Sequence, residues 1–231
     1  MTLTAALFDA GNTLLSINYA AIVDSLKREN FPVSREEVWK AECRARVKLD
    51  PLLARAEVRE SPEVFSLYMR LTCEEMGISW GERPERALGR LREINRRQGL
   101  WRGGAIQGAK DVLAELRTRG YLLGVISNAD GRLEAILKEE ALAEHLSVIV
   151  DSHVVGLEKP DPRIFRLALE RIGVAPEEAV YVGDFYRLDV IGARGAGLHA
   201  ILLDPLDAWP VLDCVKAKDL FEVRDLLLPS S

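Results

Sequence analysis

The apolar positions of this chain keep two different rhythms. From about residue 100 onward, short continuous apolar runs alternate with longer stretches patterned for one face of a helix. That spacing predicts a helix over 106–119 ended by Gly120, a strand over 121–126, a helix over Leu133–Glu140 and a strand over Ser147–Val150. Asp161-Pro162 then reads as an N-cap with proline at the first helical position, opening a helix over 162–172 that stops at Gly173. A strand over 179–183, a helix over Asp189–Ala196 ended by Gly197 and a strand over Leu198–Leu203 complete the series. Runs such as Leu122–Ile126 and Ala179–Val182 are continuously apolar, as strands covered on both faces should be. Strand and helix alternating in this way predict a parallel sheet with helices on both sides.

Between Leu15 and Trp101 the rhythm is helical throughout. Ala20–Glu29, Ser34–Leu49, Ser61–Gly77 and Pro84–Gln98 carry helical patterning, with no strand between them. Ser34-Arg35-Glu36-Glu37 is a capping box, and Ser61-Pro62-Glu63 is a cap with proline at the first helical position. A block of helices directly after a first strand predicts a small separate domain. The tail after Leu203, with Trp209, Pro210 and Leu226-Leu227-Leu228, suits packing on the core or on a second subunit. The pattern does not choose between them, and the oligomeric state stays unassigned.

Composition narrows the class. The 231 residues are 48% apolar, with mean hydropathy of −0.01, and suffice for one substantial core or a core with an insertion. Lys plus Arg number 31 against 36 Asp plus Glu, a net charge of −5, which argues against a nucleic-acid partner. The start of the chain has no basic flank and meets Asp9 too early for a secretory signal. No run of 18 apolar residues offers a membrane span. Cys43, Cys73 and Cys214 are odd in number and lack a CxxC pair, so a reducing, cytoplasmic setting is expected. His145, His153 and His199 are scattered and match no metal site or relay.

The chemistry sits at strand ends. In a doubly wound sheet, ligands bind outside the carboxyl ends of the strands, near the point where strand order reverses. Asp9 follows the apolar run Leu7-Phe8 and enters a turn containing Gly11. Ser127-Asn128 ends the run Val125-Ile126, and Lys159 stands ahead of Pro160-Asp161-Pro162. Asp184 ends Val180-Tyr181-Val182-Gly183, and Asp189 comes five residues later.

This ordered set resembles the haloacid-dehalogenase-like (HAD) hydrolase superfamily, whose members are mostly Mg²⁺-dependent phosphatases. The resemblance covers about residues 1–15 and 100–205, and more loosely the helical block. It implies an α/β fold: a three-layer Rossmann-like parallel-sheet core over 1–15 and 100–231, with an inserted all-helical cap domain over 16–99. By resemblance Asp9 is the nucleophile that forms an aspartyl-phosphate, dividing one hard displacement into two easier ones. Two anions must meet there, so the resemblance also implies Mg²⁺, with Asp9, the Gly11 carbonyl and Asp184 as ligands. Asp189 would ligate directly or through a water. Lys159 would neutralise Asp9 and a phosphate oxygen. Ser127 and the backbone N–H groups around Asn128 would bind the phosphoryl group. Thr13 is expected to fix the turn after Asp9.

One position departs from the family. Its first motif is Asp-x-Asp-Gly-Thr, and Gly11 stands where the second aspartate protonates the leaving group and activates water. Asn12 sits one residue too late and does not titrate. Relatives that lack this acid include dehalogenases, which carry an aromatic residue there and need no Mg²⁺. Phosphonatases carry a small residue there and use a cap lysine; Lys40 and Lys48 read as solvated helix lysines instead. Candidate substrate contacts in the cap are Glu42, Arg44, Arg46, Tyr68 and Arg70, most of them expected on solvated faces, with Tyr19 lining the entrance. Phe185, Tyr186 and Arg187 lie between the two acidic residues and either touch substrate or pack. The expected function is Mg²⁺-dependent hydrolysis of a small phosphorylated metabolite. The alternative is a catalytically weak phosphate-binding or regulatory protein on the same scaffold.

Overall fold

Six parallel strands form one sheet in the order β3-β2-β1-β4-β5-β6. The chain, here a computed structural model describing residues 3–53 and 62–228, begins with β1 (Ala5–Phe8). Four helices follow: α1 (Tyr19–Lys27), α2 (Arg35–Leu53), α3 (Pro62–Glu75) and α4 (Glu82–Gln98). The chain then runs through α5 (Ala109–Thr118), β2 (Leu122–Ser127), α6 (Leu133–Glu139), β3 (Val148–Asp151), the short α7 (Ser152–Val155) and α8 (Pro162–Ile172). After β4 (Ala179–Gly183) comes a π-helical turn over Tyr186–Ile191 that continues into α9 (Gly192–Gly195). β5 (His199–Leu203), β6 (Val215–Ala217) and α10 (Leu220–Leu227) end the described chain.

The strand order explains where a site can form. β1, β2 and β3 step outward in one direction and β4, β5 and β6 in the other, so order reverses between β1 and β4. The paired register Phe8↔Val182 sets Asp9 and Asp184 at the carboxyl ends of these two neighbours. β1 and β4 are buried along their whole length, consistent with their apolar runs. Side chains of α5, α6 and α10, among them Leu113, Leu137 and Val223, close one face over Phe8 and Val182. On the other face, Phe165 of α8 packs edge-on against Tyr181, with ring centroids 5.0 Å apart.

Two expectations change, and one alternative left open is decided. The helix expected from 106 begins at Ala109, because Gly108 adopts φ +83° and the ring of Phe221 occupies the space a Cβ would need. The helix expected over Asp189–Ala196 is split into the π-helical turn and α9. The tail folds onto the core: β6 joins the sheet, Trp209 is buried, and the Tyr121 hydroxyl donates to the Leu227 carbonyl at 2.9 Å. The Asp161 cap forms as expected, its carboxylate accepting from the Arg163 amide at 2.9 Å. In the Ser34–Glu37 capping box both reciprocal bonds form. Ser61 lies outside the described residues.

Residues 1–15 and 105–231 make one unit, and 16–104 the other. The second boundary falls after Gly104 because Ser16 exchanges backbone bonds with Gly103 and Gly104, and the Asn18 amide donates to the Leu100 carbonyl. Within the helical unit, α2 packs on α3 and α1 on α4. Its polar centre is Glu42, fully buried. The Glu42 carboxylate accepts from the Tyr19 hydroxyl at 3.0 Å and from the Tyr68 hydroxyl, and pairs with Arg46 Nε at 2.9 Å. Burial, then the Glu42 charge, push both phenol pKa values up, so both remain donors. Tyr19, Glu42, Arg46 and Tyr68 are therefore a buried cluster and not solvated or entrance residues. Arg44 and Arg70 do lie on solvated faces, paired with Glu75 and Glu74. Lys40 and Lys48 do likewise, with Glu36 and Glu75. Burial also lifts the Cys73 thiol to about 12, which leaves it unreactive.

Breaking a buried pair by removing one partner costs about 3–5 kcal/mol, because the other charge stays behind. Glu42→Ala, which removes the carboxylate that Arg46 and the two phenols share, is expected to destabilise the protein by about that much in urea unfolding. A loss below about 1 kcal/mol would contradict the buried pairing.

Candidate active site

The site begins with the way β1 ends. The Asp9 amide extends the ladder by donating to the Val182 carbonyl at 2.8 Å, which fixes the Asp9 backbone against β4. The chain then turns tightly, and the amides of Thr13, Leu14 and Leu15 all converge on the Ala10 carbonyl. Asn12 takes φ +53°, a left-handed conformation that Asn tolerates better than most residues. This turn brings the Asn12 side-chain amide 3.4 Å from an Asp184 oxygen. Thr13 is fully buried, yet its hydroxyl has no partner among the described residues. Backbone amides, not the Thr13 hydroxyl, hold the turn.

Lys159 reaches into the same place from the loop before α8. Its ammonium lies 2.5 Å from Asp9 Oδ1, 2.8 Å from Asp189 Oδ1 and 3.0 Å from the Tyr181 hydroxyl. The Lys159 backbone is clamped at both ends by the Asn128 side chain. The Lys159 amide donates to Asn128 Oδ1 at 2.7 Å, and Asn128 Nδ2 donates to the Lys159 carbonyl at 3.1 Å. Asn128 thus directs its side chain at the lysine loop, while the next amide, that of Ala129, donates to the Ser152 hydroxyl at 3.0 Å. Ser127 ends β2 beside it, buried, with its hydroxyl 3.5 Å from the Asn128 carbonyl.

The loop after β4 is shaped by Asp189. Its Oδ2 accepts from the amides of Asp184 at 3.1 Å and Phe185 at 2.8 Å, so one carboxylate organises the turn that carries another. The approach is close enough to dictate Gly183, where an added Cβ would stand 2.3 Å from the Asp189 carboxyl carbon. Further out, the Tyr186 hydroxyl donates to Asp213 at 2.5 Å, a packing role for that loop residue.

Asp9, Lys159, Asp184 and Asp189 are 7%, 5%, 2% and 1% exposed. Three carboxylates and one ammonium are thus buried around the same strand ends. Burial raises the Asp9 pKa; Lys159 pulls it down, and Asp189 pushes it up again. Burial alone would lower the Lys159 pKa, but Asp189 and then Asp9 outweigh it and hold it well above the usual range. Among the described residues no three His, Cys, Asp or Glu side chains are grouped to hold a metal ion, and both Asp189 oxygens already have donors. The donors around these strand ends are carboxylate, hydroxyl and carbonyl oxygens. Such a set fits Mg²⁺, which needs only one or two carboxylates and keeps several waters.

The residues singled out in the sequence at Asp9, Ser127, Lys159, Asp184 and Asp189 thus lie together at the strand ends. Tyr181 is the residue the sequence reading missed. Its signal was a hydroxyl inside an otherwise aliphatic strand, since a buried tyrosine needs a partner for that group.

A family model described as haloacid dehalogenase-like hydrolase matches residues 3–197. The chain is 42% identical over 128 residues to "Haloacid dehalogenase-like hydrolase domain-containing protein 3" of Mus musculus, covering 54% of this chain and 51% of that one. It is 47% identical over 97 residues to a phosphoserine phosphatase of Thermus thermophilus, covering 42% and 39%. The chain thus spans about half or less of the length of these curated relatives. Among solved structures, a dehalogenase with an intermediate complex superposes with a TM-score of 0.68 at 21% identity, covering 99% of both chains. That likeness is one of fold.

A carboxyl group whose pKa is raised on folding stabilises the native state when protonated. That contribution is complete below the unfolded value of 3.8 and is lost as the pH rises through the raised value. Ionising Asp9 therefore costs the fold stability as the pH rises. Asp9→Asn is expected to unfold at a higher temperature than wild type in metal-free buffer at about pH 7, with the gap closing as pH falls toward about 4. A lower midpoint for Asp9→Asn at neutral pH would show that its pairing with Lys159 dominates.

Proposed function

The chain belongs to the haloacid dehalogenase-like hydrolases, and on that premise we propose that it is a Mg²⁺-dependent phosphatase of a small phosphomonoester. The observation that carries the reading is the Lys159 ammonium held between Asp9 and Asp189, with Asp184 at the end of the neighbouring strand. The phosphoserine phosphatase name of the Thermus thermophilus relative adds support for a phosphomonoester.

In this reading Asp9 attacks phosphorus through the oxygen that Lys159 leaves free. The phosphorus–oxygen bond to the leaving group breaks as the aspartyl-phosphate forms. A water then attacks phosphorus, releases phosphate and regenerates the Asp9 carboxylate. Lys159 orients Asp9 and partly neutralises it, so that one anion can approach another. Ser127 and the amides after it bind phosphoryl oxygens. Asp9, Asp184 and the Gly11 carbonyl would hold Mg²⁺, with Asp189 acting through a water or by fixing the Asp184 loop. Bound Mg²⁺ would add positive charge where the Asp9 and phosphate anions meet.

Gly11 brings no acid to the leaving group. A missing general acid costs about 10²–10⁴ in rate, and least where the leaving group is already a stable anion. The substrates best suited are therefore acyl or aryl phosphates. Gly11 is also what favours the second reading, a phosphate-binding or regulatory protein with little turnover.

Acetyl phosphate and an aryl phosphate, each with and without Mg²⁺, test both readings. Turnover should require Mg²⁺ and disappear in Asp9→Asn. Gly11→Asp should speed hydrolysis of a poor leaving group by about 10²-fold or more. No turnover by wild type or Gly11→Asp, with Mg²⁺ still bound, would favour the binding-protein reading.

A further inference from the structure

Tyr181 is the one side chain of β4 able to form a hydrogen bond, and it is wholly buried. From β4 its hydroxyl passes over β1 to the end of β2, where it lies 2.7 Å from the Ile126 carbonyl. The same oxygen stands 3.0 Å from Lys159 Nζ. The direction of both bonds is forced. A carbonyl only accepts and an ammonium only donates, so the single phenol proton goes to Ile126 and a phenol lone pair faces Lys159. Phe165 braces the ring from the side, and the Lys159 ammonium lies 5.4 Å from the ring centroid.

An ammonium has three protons to place. Here they go to Asp9, Asp189 and Tyr181. The phenol would be satisfied by Ile126 alone, so a structural role in β4 would not require the contact with Lys159. Lys159 does require it, because so buried a group has little access to water in place of a missing acceptor.

We propose that Tyr181 is a positioning residue for Lys159: by taking the third ammonium proton it keeps the other two on Asp9 and Asp189. The proposal rests on the reading of Lys159 as the partner of Asp9 in hydrolysis. Without the hydroxyl, the ammonium pivots off the line between the two carboxylates, and Asp9 loses its fixed orientation. That loss falls on the transition state more than on ground-state binding.

A double-mutant cycle with a kinetic arm tests this. The cycle compares Tyr181→Phe, Lys159→Met and the double variant in urea unfolding, and needs no turnover. If the hydroxyl acts through Lys159, its removal should cost clearly less when Lys159 is already gone. Lys159→Gln serves in the same cycle if Lys159→Met fails to fold. In the kinetic arm, Tyr181→Phe should lower kcat for an aryl phosphate roughly tenfold and leave KM within about twofold, the size of one unmade buried hydrogen bond. Additive unfolding effects would overturn the proposal, as would an unchanged kcat in an active protein. If wild type shows no Asp9-dependent turnover, the phosphatase reading fails. The cycle then decides the contact by itself, coupling supporting it and additivity refuting it.

Discussion

A buried ammonium cannot leave its protons to water; every one must meet an acceptor supplied by the fold. Lys159 imposes that condition on this protein, and much of the site's arrangement satisfies it. Asp9 after β1, Asp189 after β4 and Tyr181 within β4 receive its three protons. Asn128 after β2 fixes its backbone. The sheet order makes this possible, because β2, β1 and β4 are adjacent and their carboxyl ends lie side by side. One lysine thus ties together three strand ends that are far apart in the sequence.

The two units bury charge in different settings. In the helical unit the Glu42 carboxylate meets Arg46 and two phenol donors of the same unit. In the sheet unit one ammonium is shared between Asp9 and Asp189, and burial raises the pKa of Asp9 above its ordinary value. The first arrangement suits a structural centre. The second gathers carboxylates around a shared cation at the strand ends, and a protein tolerates the cost of burying such groups where it has a use.

What the sequence revealed depended on how local the signal was. The alternation of apolar runs and helical stretches, together with Gly120, Gly173 and Asp161-Pro162, made the sheet and its helices legible because each signal acts within a few residues. Asp9, Lys159, Asp184 and Asp189 were legible because their order and their places at strand ends make a pattern. Glu42 and Arg46 were not, since a charged pair at helical spacing looks the same whether buried or solvated until α3 brings Tyr68 over it. The turn after Asp9 was read through Thr13, whereas three amides on the Ala10 carbonyl do the holding, and backbone geometry leaves little trace in side-chain identity. The tail was unreadable because a three-residue strand such as Val215–Ala217 is stabilised by its neighbour in the sheet and not by its own composition.

The partners described for Lys159, Asp9 and Asp189 all belong to the sheet unit, while Glu42 and Arg46 answer to one another within the helical unit. The chain leaves the sheet after Leu15 and returns at Ala105 without interrupting that ring of contacts. Among the described residues, every group that takes a Lys159 proton is supplied by the sheet unit itself, so the fastening is self-contained and calls on no helix of the insertion.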